Sequence, residues 1–385
     1  MTTNIRTLEA RALARFTGVK GGAVVGKVAP PDDIDAEVRE LKSLEKGAAW
    51  TAAGGISAFD FSTEGKYCVA LKVRLSESDA ADLLGAGDGP IELAEFGSAV
   101  GLFLIDQLNL NPRSQSPEWV EEHIAFPASQ GDGVDFAVLC GAVEEFSVFR
   151  IRDEQAVRPS KPGASRHVAN FILAHHGPLT TAAGLSKRSI EFIREIFLQE
   201  RSHLFDDNLF TALSSPIPRH AFLELYRTLE FVFVLPRVKA LAGALGLDKA
   251  ERDLDLIELA RACYLQLRWK RVERDSLERL FEEYSRRHMV SFQDLAAQCK
   301  PFRPLAPALG SADADSVRAA LTKFGDKFYA LRNQVVHQLW KEEEADCEAA
   351  DWAALAEFTI GCVKFFYENY LSGPARTRPE GALIA

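Results

Sequence analysis

The chain has 385 residues, of which 47% are hydrophobic and 26% are charged, and its formal net charge is -10. A chain of this length exceeds the usual size of one hydrophobic core, so we expect two domains. The acidic balance excludes a protein that coats nucleic acid non-specifically, because neutralising phosphates requires a surplus of Lys and Arg. Any nucleic-acid contact must therefore be local. One candidate patch is formed by Arg286 and Arg287; the alternative is that these arginines lie on a solvated helix face and pair with the interleaved Glu282 and Glu283.

The cellular compartment follows from the cysteines and from the apolar runs. Six cysteines are scattered without a C-x-x-C pair, and no signal-like segment opens the chain. The longest apolar runs, residues 99–105 and 231–235, are far shorter than the roughly 18 residues needed to span a bilayer. We therefore expect a cytoplasmic protein with no membrane segment.

Residues 1–155 are expected to form a mixed α/β, β-rich domain with a sensing or regulatory role. A short helical pattern occupies residues 34–44. Apolar runs or alternations then follow, separated by Gly, Pro, Asp and Asn, at residues 67–73, 91–96, 99–105 and 134–151. Such runs between turn-forming residues are typical of strands.

The second half of the chain is patterned for helices. Residues 152–166 are polar and contain two prolines and a glycine, the composition of an interdomain linker. Helical patterns with clear breaks follow, at residues 166–174, 186–199, 219–235, 249–265, 267–287, 316–340 and 346–370. The prediction is an α+β protein with an all-α helical bundle at residues 156–375 and a flexible tail at residues 376–385.

Two further motifs, one for phosphate binding and one for metal binding, match their patterns poorly. The G-x4-G-K stretch at residues 21–27 approaches a phosphate-binding loop, but Val28 stands where Ser or Thr should hold magnesium. We interpret it as a glycine-rich turn. The adjacent His175 and His176 diverge by about 100° on a helix and have no further ligand at metal spacing, so no metal and no cofactor are expected.

The informative segment is residues 324–340. Its apolar residues recur at helical period: Phe324, Phe328, Leu331, Val335 and Leu339. This pattern predicts a buried stripe, with His337 nearly opposite it, Asn333 one turn before His337, and Arg332 on the flank. The alternative is a helix buried on two sides, in which Arg332 and His337 are merely hydrogen-bonded.

A second, partly apolar face of this helix carries Tyr329, Val336 and Trp340. It lies on the same side as Arg332 and Asn333 at about 100° per residue. An apolar face around a polar cluster indicates that a partner helix packs there.

The sequence L-R-N-Q-V-V-H at residues 331–337 resembles the R-N-x-x-x-H signature of the HEPN superfamily. These are α-helical ribonuclease domains of toxin–antitoxin pairs, CRISPR effectors and abortive-infection systems. The resemblance covers roughly residues 219–370, and only the motif is specific.

Residues 222–231 also resemble the opening helix of prokaryotic HEPN defence proteins, in which an acidic residue often faces the site. Glu230 takes that place, although an ion pair with Arg227 is the simpler role.

The resemblance implies RNA cleavage without metal, by attack of a 2′-hydroxyl on the adjacent phosphorus. His337 would be the acid or base, Arg332 the electrostatic clamp, and Asn333 would orient the imidazole or bind a phosphate oxygen. His337 follows Arg332 by five positions, so on one helix they diverge by about 140°. A homodimer that meets at the second face pools two such pairs in one cleft, an arrangement that the resemblance also implies.

The expected function is a homodimeric, metal-independent endoribonuclease, a prokaryotic antiphage or stress toxin whose N-terminal domain senses a trigger or binds a regulatory partner. The alternative is a catalytically silent HEPN-like adaptor or regulatory subunit, which predicts dimers without cleavage. A third hypothesis is a nucleotide-dependent enzyme that uses the loop at residues 21–27 and loses ATP binding when Lys27 is changed.

Overall fold

The computed structural model describes most of the chain: residues 4–17, 27–29, 33–52, 55–84, 91–129, 133–152, 164–182, 184–197, 206–244, 259–260, 273–337 and 347–371. It divides into two compact units, residues 1–177 and 178–385. By this division the helix at Ala164–Leu173 belongs to the first unit, whereas the sequence interpretation placed it in the second domain. Most of the predicted linker and the whole predicted tail lie outside the described residues.

The first unit contains a five-stranded antiparallel sheet in the order β1-β2-β3-β5-β4. Its strands are β1 (Glu45–Thr51), β2 (Ser57–Thr63), β3 (Lys66–Leu71), β4 (Ile91–Leu93) and β5 (Ser147–Ile151). In the hairpin between β2 and β3, Glu64 and Gly65 have φ of 51° and 73°. Positive φ at both central residues gives the turn whose twist matches that of the flanking strands.

The first unit has eight helices in its described part, and one of them is buried over most of its length. They are α1 (Ile5–Thr17), α2 (Ile34–Ser43), α3 (Glu77–Leu84), α4 (Ser98–Gln107), α5 (Pro117–Val120), α6 (Phe126–Ser129), α7 (Phe136–Ala142) and α8 (Ala164–Leu173), with a π-helical turn at Glu121–Ala125. Helix α4 packs on α1 and α2. At its N-terminus, Gly97 has no side chain to act as a cap, and Glu37 of α2 accepts the backbone N–H of Ala99 at 2.8 Å instead.

The α+β class is confirmed, but the expectation of a β-rich first domain is wrong in detail. Residues 99–105, predicted as a strand, lie inside α4, and residues 134–151 contain both α7 and β5. Every residue from Ser98 to Ile105 is buried, so α4 has no polar face to reveal a helical period. A short apolar run of this kind has the same signature whether it forms a buried helix or a buried strand.

The described part of the second unit is built from helices, as predicted. They are α9 (Gly177–Ala182), α10 (Lys187–Phe197), α11 (Asp206–Ser214), α12 (Pro218–Val232), α13 (Leu235–Ala244), α14 (Glu273–Gln298), α15 (Ala306–Leu309), α16 (Ala314–His337) and α17 (Ala349–Phe366). A 3-10 helix at Lys300–Leu305 precedes α15, and a π-helical turn at Tyr367–Leu371 follows α17. In the described ranges of the whole chain, no helix is both long enough and apolar enough to cross a membrane.

Phenylalanine rings form the core of the second unit. The ring centroid of Phe281 on α14 lies 5.2 Å from that of Phe328 and 5.5 Å from that of Phe358, both in edge-to-face contact. Such contacts contribute about 0.5–1.5 kcal/mol beyond the burial of apolar area. The predicted stripe of α16 is confirmed at Phe324, Phe328 and Leu331, which are buried. Val335 is half-buried, and Leu339 lies outside the described residues.

Candidate functional site

Helix α12 supplies the acidic side of the candidate site. It begins with Pro218 in its first turn, where the missing N–H and the fixed φ of proline suit a helix start. Phe222, Tyr226 and Leu229 recur at steps of four and three, and all three are fully buried. Glu230 follows directly and lies at the border of this buried stripe, where it is half-buried.

Helix α16 supplies the basic side. The Asp313 carboxylate accepts the backbone N–H of Ser316 at 3.0 Å and satisfies a free N–H of the first helical turn. The hydrogen bonds of Ser316 also hold the pKa of Asp313 below its usual value. Because Phe328 and Leu331 anchor the far half of the helix in the core, Arg332 is held at the edge of that core.

Three separate parts of the second unit meet at the Arg332 guanidinium. Its Nη2 lies 2.9 Å from Glu230 Oε1, and its Nη1 lies 3.7 Å from Glu273 Oε2 at the start of α14. Nη1 also donates to Asn333 Oδ1 at 3.0 Å. Only 17% of the Arg332 side chain and 20% of the Glu230 side chain are exposed, so this ion pair is largely removed from water. The neighbouring Arg227 pairs with Glu224 at 2.5 Å.

An aromatic ring forms the floor of this cluster. The Arg332 guanidinium carbon lies 5.4 Å from the ring centroid of Tyr226, which in turn stacks on Phe328 at 5.8 Å. Burial raises the pKa of the Tyr226 phenol far above its usual value, and the negative charge of Glu230 raises it further. Tyr226 is therefore neutral at physiological pH and is available as a hydrogen-bond donor.

Several polar atoms of the cluster are buried without a hydrogen-bond partner. Among the described residues these are the Tyr226 hydroxyl, Arg332 Nε and Glu273 Oε2, the last of which has only its ion pair with Arg332 at 3.7 Å. A buried polar atom left in this way costs about 1–3 kcal/mol. Tyr226 and Arg332 are donors, and an anionic oxygen is the acceptor that suits both. The formal charge of Arg332 with Glu230 and Glu273 is, however, one cation against two carboxylates.

The other residues predicted for the site are only partly described. Asn333 is half-buried, and its side-chain oxygen is engaged by Arg332. His337 is the last residue of α16, and its side chain lies outside the described part of the structure. On the predicted dimer face, Tyr329 is half-buried and Val336 is 40% exposed, whereas Trp340 lies outside the described residues.

Sequence reasoning missed two members of the cluster, Tyr226 and Glu273. Tyr226 precedes Glu230 by four residues, which places both on one face of α12, so helical spacing alone contained the signal. Glu273 had no such signal, because it reaches Arg332 only through the packing of α14 on α16.

The other candidate motifs add nothing to the site. Within the described ranges, no group of three or more His, Cys, Asp or Glu side chains could hold a metal ion. Residues 21–26 of the glycine-rich turn lie outside these ranges. Arg286 pairs with Glu282 at 3.3 Å and with Glu283 at 3.6 Å, so its charge is matched by the interleaved acids.

Comparison with known proteins assigns no family. No protein-family model, no curated protein and no solved structure matches this chain.

Proposed function

We propose that the protein is a metal-independent endoribonuclease whose site is built around Arg332. The observation that carries the proposal is the ion pair between Arg332 and Glu230, because two segments 102 residues apart, each singled out by its resemblance to HEPN ribonucleases, contribute its partners. The Tyr226 hydroxyl and Arg332 Nε, both buried donors, add groups that suit a phosphate oxygen.

The proposed reaction is an internal transfer. The 2′-oxygen of a ribose attacks the adjacent phosphorus while His337 accepts its proton, and the bond from phosphorus to the 5′-oxygen breaks. The leaving 5′-oxygen takes a proton from a second imidazole, which leaves a 2′,3′-cyclic phosphate and a 5′-hydroxyl. Arg332 stabilises the negative charge of the phosphorane.

The spacing of Arg332 and His337 favours a site shared by two copies of the chain. On one helix the two side chains diverge by about 140°, so one copy presents them poorly to a single phosphate. A second copy that packs on Tyr329 and Val336 brings a second arginine and a second imidazole to the same cleft. We therefore propose that the active form is a homodimer, with the exposed Val336 in its interface.

The test uses purified full-length protein, RNA and EDTA. We expect the wild type to cut RNA with metal chelated and to leave 2′,3′-cyclic phosphate ends. Arg332→Ala and His337→Ala are expected to lower the rate at least a hundredfold, in line with the loss of a single transition-state group. Arg318→Ala, an exposed arginine on the same helix, is the matched control. Intact RNA with every protein, or equal cutting by Arg332→Ala and the control, contradicts the proposal.

Mixing wild type with His337→Ala tests the shared site. If one cleft uses the imidazoles of both copies, a mixed dimer is inactive, and the activity falls more steeply than the fraction of wild-type chains. If each copy works alone, the activity falls in proportion to that fraction. Unfolding curves of Arg332→Ala and His337→Ala show whether the loss has a structural cause.

In the cell, we propose that cleavage acts as an antiphage or stress toxin, with the first unit binding a trigger or a regulatory partner. Induction of the wild type is then expected to arrest growth with degraded RNA, and induction of His337→Ala is not. Growth arrest without RNA degradation contradicts this role.

A second candidate function, a catalytically silent adaptor, is favoured by one observation. Glu230 and Glu273 already neutralise Arg332, which is how a purely structural arginine is held. The adaptor predicts a dimer that cuts no RNA and in which His337→Ala leaves partner binding unchanged.

A further inference from the structure

We propose that a cavity between α10, α14 and α17 binds a neutral, planar nitrogen heterocycle with an amino group, of the aminopurine or aminopyrimidine type. The cavity has a volume of about 160 Å³ and is lined by described residues of the second unit. It is separate from the Arg332 cluster. His288 in the cavity follows Glu273 by fifteen residues of α14, roughly 22 Å at a rise of 1.5 Å per residue.

The walls of this cavity are aromatic. Phe192, Tyr284, Phe358 and Phe365 line it. Gly361 keeps the space between them open, because a Cβ at that position would lie 3.1 Å from the Tyr284 hydroxyl and 3.8 Å from Phe192 Cε2. Aromatic walls stack on any planar ring, and a cavity near 150 Å³ can hold a single aromatic ring. Size and walls together indicate a one-ring or two-ring ligand.

Helix α14 adds hydrogen-bonding groups along one face. Tyr284, His288, Ser291, Leu295 and Gln298 recur at steps of four, three, four and three and line the cavity. The helix is interrupted at His288, which has φ -131° and ψ 39°. The His288 imidazole stacks on Tyr284 with centroids 4.8 Å apart and extends the aromatic wall.

The charges of the lining residues exclude a phosphate as the main recognition group. Lys364 Nζ lies 2.9 Å from Glu195 and 3.2 Å from Glu368, and Arg188 Nη1 lies 3.5 Å from Glu357. Both cations are thus already matched. The lining holds two cations, Arg188 and Lys364, against three carboxylates, Asp294, Glu357 and Glu368, so a phosphate would meet a net negative charge.

The ring face of Phe192 is not open to an organic cation, because it already faces Lys364 at 5.1 Å and Arg188 at 5.3 Å. A neutral ring, which stacks without needing a counter-charge, fits these walls better.

Two polar side chains lie at the exposed rim of the cavity, Asp294 and Gln298. In the part of the chain that the structure describes, they make no side-chain hydrogen bond to the protein, and they lie one helical turn apart, so both are open to a ligand at the mouth of the cavity. A carboxylate accepts from an amino group, and an amide pairs with a ring nitrogen and an amino group together. These two side chains therefore select a heterocycle that carries an amino group.

The test is calorimetric titration of the full chain with four nucleosides in the absence of RNA. We expect guanosine, adenosine or cytidine to bind at least about tenfold more tightly than uridine, which has no amino group, because one such base contact is worth about that factor. The 5′-monophosphate of the best nucleoside is expected to bind more weakly. Guanidinium chloride is the organic-cation probe and is expected not to compete.

Substitutions of residues that line the cavity test whether the nucleoside binds there. Asp294→Asn and Phe192→Leu are each expected to weaken binding about tenfold, by loss of a hydrogen-bond acceptor and of a stacking ring. Asp315→Asn, an exposed aspartate on α16, is the matched control and should bind as the wild type does. Gly361→Leu fills the cavity and should abolish binding, with circular dichroism to verify its fold.

Four results would overturn the proposal: no binding of any nucleoside at millimolar concentration, tighter binding of the monophosphate, competition by guanidinium, or binding unchanged in both Asp294→Asn and Phe192→Leu. Because Arg332 lies outside the cavity, Arg332→Ala should bind nucleoside normally. The outcome is thus independent of whether the protein cuts RNA.

Discussion

Two arginine–glutamate clusters, one in each unit, use the same chemical groups in opposite proportions. In the sheet, Glu92 accepts from Arg150 Nη1 at 2.9 Å and from Arg152 Nε at 2.6 Å. In the described part of the helical unit, Arg332 lies between two glutamates. Among the described residues, the sheet cluster has more cations than carboxylates, and the helical cluster has more carboxylates than cations.

This difference separates a supporting contact from a candidate site. Glu92 on β4 lies directly opposite Arg150 on β5, so their pairing follows from strand register. Water reaches the sheet cluster through Arg152, whose side chain is 46% exposed. Arg332 instead lies over the ring of Tyr226 with a carboxylate in excess. An uneven charge in a largely buried place makes the helical cluster sensitive to any added or removed charge.

The largest expected effect is on stability. Arg332→Met keeps the apolar stem over Tyr226 but removes the cation that lies beside Glu230 and Glu273, and we expect the free energy of unfolding to fall by about 2–4 kcal/mol. Arg150→Met leaves Arg152 on Glu92, so the fall should be less than about 1 kcal/mol. Equilibrium unfolding of the full chain in urea measures both.

A second variant decides whether charge is the reason. If repulsion between the two carboxylates causes the loss in Arg332→Met, adding Glu230→Gln should recover part of it, because one of the two negative charges is then removed. A double variant that is less stable than the single one would show that the Glu230 carboxylate stabilises the fold through other contacts, which contradicts charge repulsion as the cause. Equal losses in Arg332→Met and Arg150→Met would remove the contrast between the clusters.

Local patterns predicted what lies within single helices. The buried stripe of α16 and the position of Arg332 beside it follow from helical period, since Phe324, Phe328 and Leu331 are spaced for one face. Glu230 was selected through resemblance, and the structure brings it to Arg332. Glu273 was not predictable, because no local pattern encodes which turn of α14 lies against α16.

The first unit shows the opposite case, in which a strong local pattern misled. The apolar run at residues 99–105 is as long as a strand and lacks polar positions, so its helical form depends on packing against α1 and α2. The cavity in the second unit was also beyond sequence reasoning. Phe192, Tyr284 and Phe365 come from three helices, and each one alone has the pattern of an ordinary core residue.

The second largest expected effect is on the rate of RNA cleavage, and this prediction rests on the proposed function. Glu273→Gln removes one of the two carboxylates that lie beside Arg332, so phosphate should approach Arg332 more easily, and we expect single-turnover RNA cleavage to become about three to ten times faster. That change corresponds to about 0.6–1.4 kcal/mol of barrier. Asp275→Asn, an exposed acid in the same turn of α14, is the control and should leave the rate unchanged.

A slower Glu273→Gln would mean that this carboxylate positions Arg332 and does not screen it. Equal acceleration by Glu273→Gln and Asp275→Asn would assign the effect to the overall charge of the surface.

The smallest expected effect concerns the sheet cluster and its dependence on pH. Hydrogen bonds from Arg152, and next from Arg150, lower the pKa of Glu92 below its usual value of 4.5. A lowered pKa in the folded state means that the ionised form stabilises the fold above the unfolded-state pKa, and that this contribution disappears as pH falls through the folded-state pKa. Glu92→Gln should thus be less stable than the wild type by under about 1 kcal/mol at pH 7, with the difference shrinking below about pH 4.

Urea unfolding at several pH values measures this difference in stability, and Glu95→Gln, a change at an exposed glutamate, is the control. A stability difference that grows as the pH falls would contradict the direction of the pKa shift. A stability loss in Glu92→Gln as large as the loss in Arg332→Met would mean that the two clusters contribute equally to stability.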